Sequence, residues 1–223
     1  SALPLVLHAA CLAESPQLEL ASDDAVALAA ETVTDNETVT DKQIAKSLEQ
    51  AGANRPAIQK ALDTAPKKQR RGMRFLVAYM PQRDLKSLTS EFLLDQTRYA
   101  YKAFRKSAWA DQVPEAVFFN DVLPYASINE RRDNWRADFY KRFTPVVKSA
   151  KPPGEAATLL NRAIFGQVKV RYSTARPKAD QSPYESIEAG LASCTGLSVL
   201  LIDACRAVGV PARFVGTPLW ADR

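Results

Sequence analysis

Ser193-Cys194-Thr195-Gly196-Leu197-Ser198-Val199-Leu200-Leu201-Ile202-Asp203-Ala204-Cys205-Arg206-Ala207-Val208-Gly209-Val210-Pro211-Ala212-Arg213-Phe214-Val215-Gly216 reads as one helix with a cysteine at its mouth, then a turn into an extended segment. From Leu197 onward, Leu200, Leu201, Ala204, Cys205 and Val208 recur at three- and four-residue steps and stack on one face of a 3.6-period helix. That face is core. Gly209 supplies a left-handed stop, Pro211 forbids resumption, and Phe214-Val215 leans toward strand. Cys194 is left in the first turn, among unpaired backbone N–H groups at the positive end of the helix dipole, and both favour a thiolate.

Around this cysteine the order Cys-x-Gly-x-Ser at 194–198, then Cys-Arg-Ala-Val-Gly-Val-Pro-Ala-Arg at 205–213, resembles the core of the transglutaminase-like superfamily. The resemblance covers roughly residues 160–223, and the string from Pro183 to Trp220 looks like bacterial transglutaminase-domain proteins in particular. It implies a papain-like fold in which Cys194 is the nucleophile of a Cys-His-Asp set. It also implies acyl transfer through a thioester on peptide or carboxamide substrates, by a hydrolase or a cross-linking transferase. Neither a metal nor an organic cofactor is implied.

In the family the histidine follows on the next strand and the aspartate on the one after, whereas this chain ends at Arg223 and its only histidine is His8. A general base must come within hydrogen-bonding reach of the thiol. The chain therefore reads as a fragment, inactive alone. By the same resemblance, Gln181 is the side-chain candidate for an oxyanion donor, and Tyr172, Tyr184 and Trp220 are candidate cleft walls. Each is equally open to a reading as ordinary packing or surface.

Charge is laid out unevenly: residues 1–50 carry a balance of −7 and residues 51–223 one of +12. The basic run Lys67-Lys68-Gln69-Arg70-Arg71 has no nucleic-acid motif beside it, so a solvated helix face is the reading taken. Cys11, Cys194 and Cys205 form neither a metal spacing nor a paired framework, and Cys205, about three turns beyond Cys194, is a small buried apolar residue.

Residues 1–13 resemble the remnant of an export signal, too short to span a bilayer, with Cys11 a lesser candidate for lipid attachment. Residues 14–52 form an acidic linker, including the tandem Glu31-Thr32-Val33-Thr34-Asp35-Asn36 and Glu37-Thr38-Val39-Thr40-Asp41-Lys42, and a short helix capped by Asp41 and stopped by Gly52.

Residues 53–150 are helical. Pro56 and Pro66 open helices, Pro81 breaks the pattern, Ser90–Ala108 is amphipathic with a basic back, and Pro114–Leu123 is short and buried. Trp135, Phe139, Phe143 and Val147 mark a helix that Pro145 should kink. Lys151-Pro152-Pro153-Gly154 is the clearest boundary, after which residues 151–223 hold a partial transglutaminase-like core. There a helix from Glu155 to about Gln167 precedes a strand over Val168–Tyr172, and an exposed loop leads to the capping box of Ser182-Pro183-Tyr184-Glu185.

The fold class is thus α+β, a mainly helical N-terminal region followed by the first half of a papain-like core. The competing function class is a non-catalytic exported protein-binding module that uses the helices from Arg55 to Leu123.

Overall fold

Helix-start chemistry sets most boundaries in the computed structural model, which describes residues 39–216. The first helix, α1 (Asp41–Gln50), is capped by Thr40 in place of the expected Asp41. The Thr40 hydroxyl accepts from Gln43 N–H at 3.2 Å, while Gln43 Oε1 takes the Thr40 N–H at 2.7 Å. Asp41 becomes the acidic residue of the first turn, where the dipole favours it.

Pro56 stands in the first turn of α2 (Arg55–Thr64), and a short 3₁₀ turn after Pro66 leads into α3 (Arg70–Tyr79). Met80 and Pro81 are extended, and Pro81 caps the four-residue α4 (Gln82–Leu85). The Thr89 hydroxyl caps α5 (Ser90–Lys106) by accepting from Phe92 N–H at 3.1 Å. Next come α6 (Glu115–Val117), which widens into a π turn at Phe118–Val122, then α7 (Arg136–Phe143) and α8 (Pro153–Val168). The strand β1 (Arg171–Tyr172), helix α9 (Pro183–Ala189), strand β2 (Leu191–Ala192) and helix α10 (Cys194–Ala207) complete the described chain. The fold is mainly helical, with two short parallel strands.

Two apolar clusters hold these helices. One joins α1, α2, α3, α5 and the π turn through Ile58, Met73, Val77, Leu93, Phe118 and Val122. The other joins α7, α8 and α10 through Trp135, Phe139, Phe143, Leu160, Ile164 and Leu200. Phe104 of α5 packs against both. Each fully buried Leu, Ile or Phe removes apolar area from water and contributes about 1.5–3 kcal/mol. The second cluster takes residues from both sides of Lys151–Gly154, so α10 is packed against helices that precede that stretch as well as against α8.

Several local expectations are corrected. Pro145 ends α7, where a kinked continuation was expected; turns carry the chain onward from Thr144, and Phe143 and Val147 are buried all the same. The alternation at Val168–Tyr172 yields a strand only at Arg171–Tyr172, because α8 runs on to Val168 and Lys169 adopts φ 56° to turn out of it. Phe214-Val215 forms no strand among the described residues, and Val215 is exposed. His8, Cys11, the export-signal remnant, most of the acidic linker and Trp220 lie outside the described residues. Among the described residues no helix is long and apolar enough to cross a membrane.

Gly209 closes α10. At φ 84° it sends its N–H to the Arg206 carbonyl, while Val210 N–H reaches the Cys205 carbonyl, the paired bonds of a Schellman stop. A methyl group here would stand 2.9 Å from Phe104 Cα and 3.0 Å from the Ala103 carbonyl carbon, both backbone atoms of α5. At Gly190, φ is 64° and the nearest atom is 3.6 Å away. Gly190→Ala should therefore cost only the left-handed penalty, about 1–2 kcal/mol. Gly209→Ala adds overpacking against a helix backbone and should cost about 3 kcal/mol or more. Urea unfolding of the two variants checks this, and equal losses would mean that the α5 contact is not tight.

Candidate functional site

The first turn of α10 is fixed by the segment before it. Parallel pairing sets Arg171 against Leu191 and Tyr172 against Ala192, with Arg171 N–H on the Gly190 carbonyl at 3.1 Å and Ser173 N–H on the Ala192 carbonyl at 2.9 Å. Upstream, the capping box over Ser182–Glu185 is present: Glu185 N–H donates to Ser182 Oγ at 3.3 Å, and Ser182 N–H to Glu185 Oε2 at 2.8 Å. Burial works to raise the Glu185 carboxyl, but the Ser182 N–H and the Lys178 ammonium at 3.0 Å outweigh it and hold it below its ordinary value.

Ser193 caps α10. Its hydroxyl accepts from Gly196 N–H at 3.0 Å and donates to the Ala179 carbonyl, fourteen residues back, so the loop after β1 is tied to the helix mouth. Gly196 is a place of close approach, since a Cβ there would meet Ala192 Cβ at 3.1 Å and Ser186 Oγ at 3.4 Å.

Cys194 is the first residue of α10 and is half-buried. Cys205, on the same helix, is fully buried, and that burial pushes its thiol up to about 12. One helix thus carries a half-buried cysteine and a sealed one.

The other candidates fall in different places. Gln181 is buried, and its amide nitrogen donates to the Leu191 carbonyl at 3.0 Å and the Glu185 carbonyl at 3.3 Å; both donors are engaged by backbone. Its Oε1 is buried without a partner among the described residues, as is Ser186 Oγ. Tyr172 is exposed beside β2, whose next residues are Ser193 and Cys194. Tyr184 is half-buried and meets Phe139 edge-on at 6.3 Å, with burial and then the charges of Asp138 and Asp133 raising its hydroxyl. Gln181 and Tyr172 are therefore brought to β2 ahead of Cys194, while Tyr184 joins the core. An open depression of about 340 Å³ lies between Pro177, Lys178, Gln181, Glu185, Glu188 and Ala189, and Cys194 does not line it.

Residues 141–223 match the transglutaminase-like superfamily. The matched stretch starts within α7 and contains α8, both strands, α9 and all of α10 with Cys194. The chain matches none of the curated proteins and none of the solved structures compared with it. Beyond the sequence candidates, the matched segment relies on Ser193, Gly196 and Arg206. The serine is legible as an N-cap by type and position. Arg206, with Asp203, stands out as a charge within an apolar helical run.

Ser193→Ala removes both the cap and the tie to Ala179 and should cost about 1–2 kcal/mol, whereas Ser193→Thr keeps the hydroxyl and should cost a few tenths. Chemical denaturation of the two variants distinguishes a working cap from a serine that merely fills space.

Proposed function

We propose that this chain carries the nucleophile of a papain-like thiol acyl-transfer centre acting on peptide or carboxamide substrates. The observation that carries the reading is a half-buried cysteine opening a buried helix within the stretch matched to the transglutaminase-like superfamily.

In this mechanism the Cys194 sulfur, as thiolate, attacks the carbonyl carbon and a tetrahedral oxyanion forms. The C–N bond then breaks, and the amine leaves with a proton. Water or a second amine attacks the resulting thioester, returning the proton to sulfur and releasing an acid or a new amide. N–H groups of the first turn of α10 are aimed along the helix axis toward the place where negative charge gathers. A general base must accept and return the proton; the family resemblance assigns that role to a histidine, and the one histidine of this sequence, His8, lies outside the described residues. Gln181, with both donors on carbonyls, contributes by holding Leu191 and so the approach to Cys194.

Alkylation with iodoacetamide in a Cys11→Ser background tests the nucleophile. Near neutral pH, Cys194 should be labelled at least tenfold faster than Cys205, which is sealed in the core and whose thiol burial pushes up to about 12. Cys194→Ala should abolish any thiol-dependent amide hydrolysis by the intact protein. Slow, equal labelling of the two thiols would refute the proposal.

A further inference from the structure

The mechanism above leaves three buried ionisable groups of α10 unused: Asp203, Cys205 and Arg206. Asp203 is completely buried, nine residues along the helix from Cys194, and neither carboxyl oxygen has a hydrogen-bond partner among the described residues. The nearest cations do not supply one. All five N–H groups of the buried Arg136 are taken: Nε by Gln96 Oε1, Nη1 by the Val122 and Arg206 carbonyls, and Nη2 by the Leu123 and Pro124 carbonyls. Arg206, on the same helix as Asp203, spends its Nε on the Asp121 and Ala212 carbonyls and its Nη1 on Pro124, Ala126 and Ser127. A carboxylate stripped of water and offered no donor is among the costliest groups to bury, and the cheaper state is the neutral acid.

We infer that Asp203 is carried as an uncharged carboxyl in the folded chain and makes the helix bearing Cys194 a proton-linked element, most stable in mild acid. The charges that act on Asp203 are Arg206 of its own helix, Arg136 of α7, and Glu130 and Asp133 of the stretch before α7. The two arginines favour the anion and the two acids oppose it, while burial, the largest influence, raises the group well above its ordinary value. The π turn packed on α10 brings the buried Asp121, whose Oδ1 pairs with Arg213, while α8, α9 and α5 bring no charge inward among the described residues. The buried residues of α8 are Ala156, Ala157, Leu160, Ile164 and Val168, those of α9 are Pro183 and Ser186, and those of α5 are uncharged.

The direction follows from proton counting. An unfolded aspartate ionises near its ordinary value of about 3.9, whereas the folded one keeps its proton. Above that value the native state binds one proton more, so stability falls as pH rises, by at most tenfold in the folding constant per pH unit, until the folded carboxyl itself ionises. Paired acids act with the opposite sign. The exposed Glu91, held at about 2 first by its Lys60 hydrogen bond, and the lowered Glu185 contribute above the ordinary carboxylate range and lose that contribution in acid. A difference measurement cancels them.

Urea unfolding of the full chain and its Asp203→Asn variant from pH 4.5 to 8 is the test. Asparagine keeps the shape and cannot ionise. The folding constant of the variant relative to the parent should rise by up to tenfold per pH unit. A ratio independent of pH overturns the inference. Carboxyl ¹³C resonances of aspartate-labelled parent protein give an independent reading. One aspartate still protonated at pH 6 supports the inference, and complete ionisation of every aspartate by that pH refutes it.

Discussion

Five main-chain carbonyls between Asp121 and Ala126 turn inward after the π turn, and two buried guanidiniums satisfy them. Arg136 of α7 takes those of Val122, Leu123 and Pro124; Arg206 of α10 takes those of Asp121, Pro124 and Ala126. Each carbonyl left unpaired at this depth would cost about 1–3 kcal/mol, so the loop from Asp121 to Ser127 depends on both arginines at once. Burial, and then the charge of Arg206, pull Arg136 down to about 9, and burial lowers Arg206 as well. Arg213 adds a third tie by pairing with Asp121 Oδ1 at 2.7 Å. The Arg-x-x-Gly-x-Pro-x-Arg run that follows the helix is thus spent on anchoring α10 to the preceding helices.

This anchoring bears on the thiol. Both ends of α10 are pinned by groups distant in sequence: Ser193 at the mouth to Ala179, and the Gly209 carbonyl at the far end to Trp109 Nε1 at 2.7 Å. The position of Cys194 is consequently a property of the whole described fold. Local helix propensity would form α10, but it would not aim it.

Legibility in the sequence divides along the same line. The apolar stripe from Leu200 to Val208, the left-handed stops at Gly190 and Gly209, the Ser182–Glu185 box and the buried Cys205 all rest on interactions within a few residues, and each was readable. The extent of α7 was not. Trp135, Phe139, Phe143 and Val147 keep a helical spacing and all reach the core, but the last does so through a turn, because burial constrains where a side chain ends and not the backbone path to it. The engagement of Gln181 with Leu191 and the tightness at Gly196 depend on β1 and β2 meeting, and a two-residue parallel pair leaves almost no periodic trace. Arg136 was hidden because it is adjacent to the stripe residue Trp135 and looks like an ordinary exposed neighbour.

The buried charge of Arg206 gives an interior helix something that its apolar face does not. A face built from Val199, Leu200, Leu201, Ala204 and Cys205 discriminates weakly among rotations about its axis, since one aliphatic contact substitutes for another at small cost. Arg206 does not substitute: only one rotation and one axial setting let its guanidinium reach the carbonyls of Asp121, Ala126 and Ala212 together. Because the helix is rigid, fixing the rotation at Arg206 fixes it twelve residues earlier at Cys194. The polar core is therefore what gives the reactive end of the helix a single orientation, at the cost of burying charge in an otherwise apolar layer.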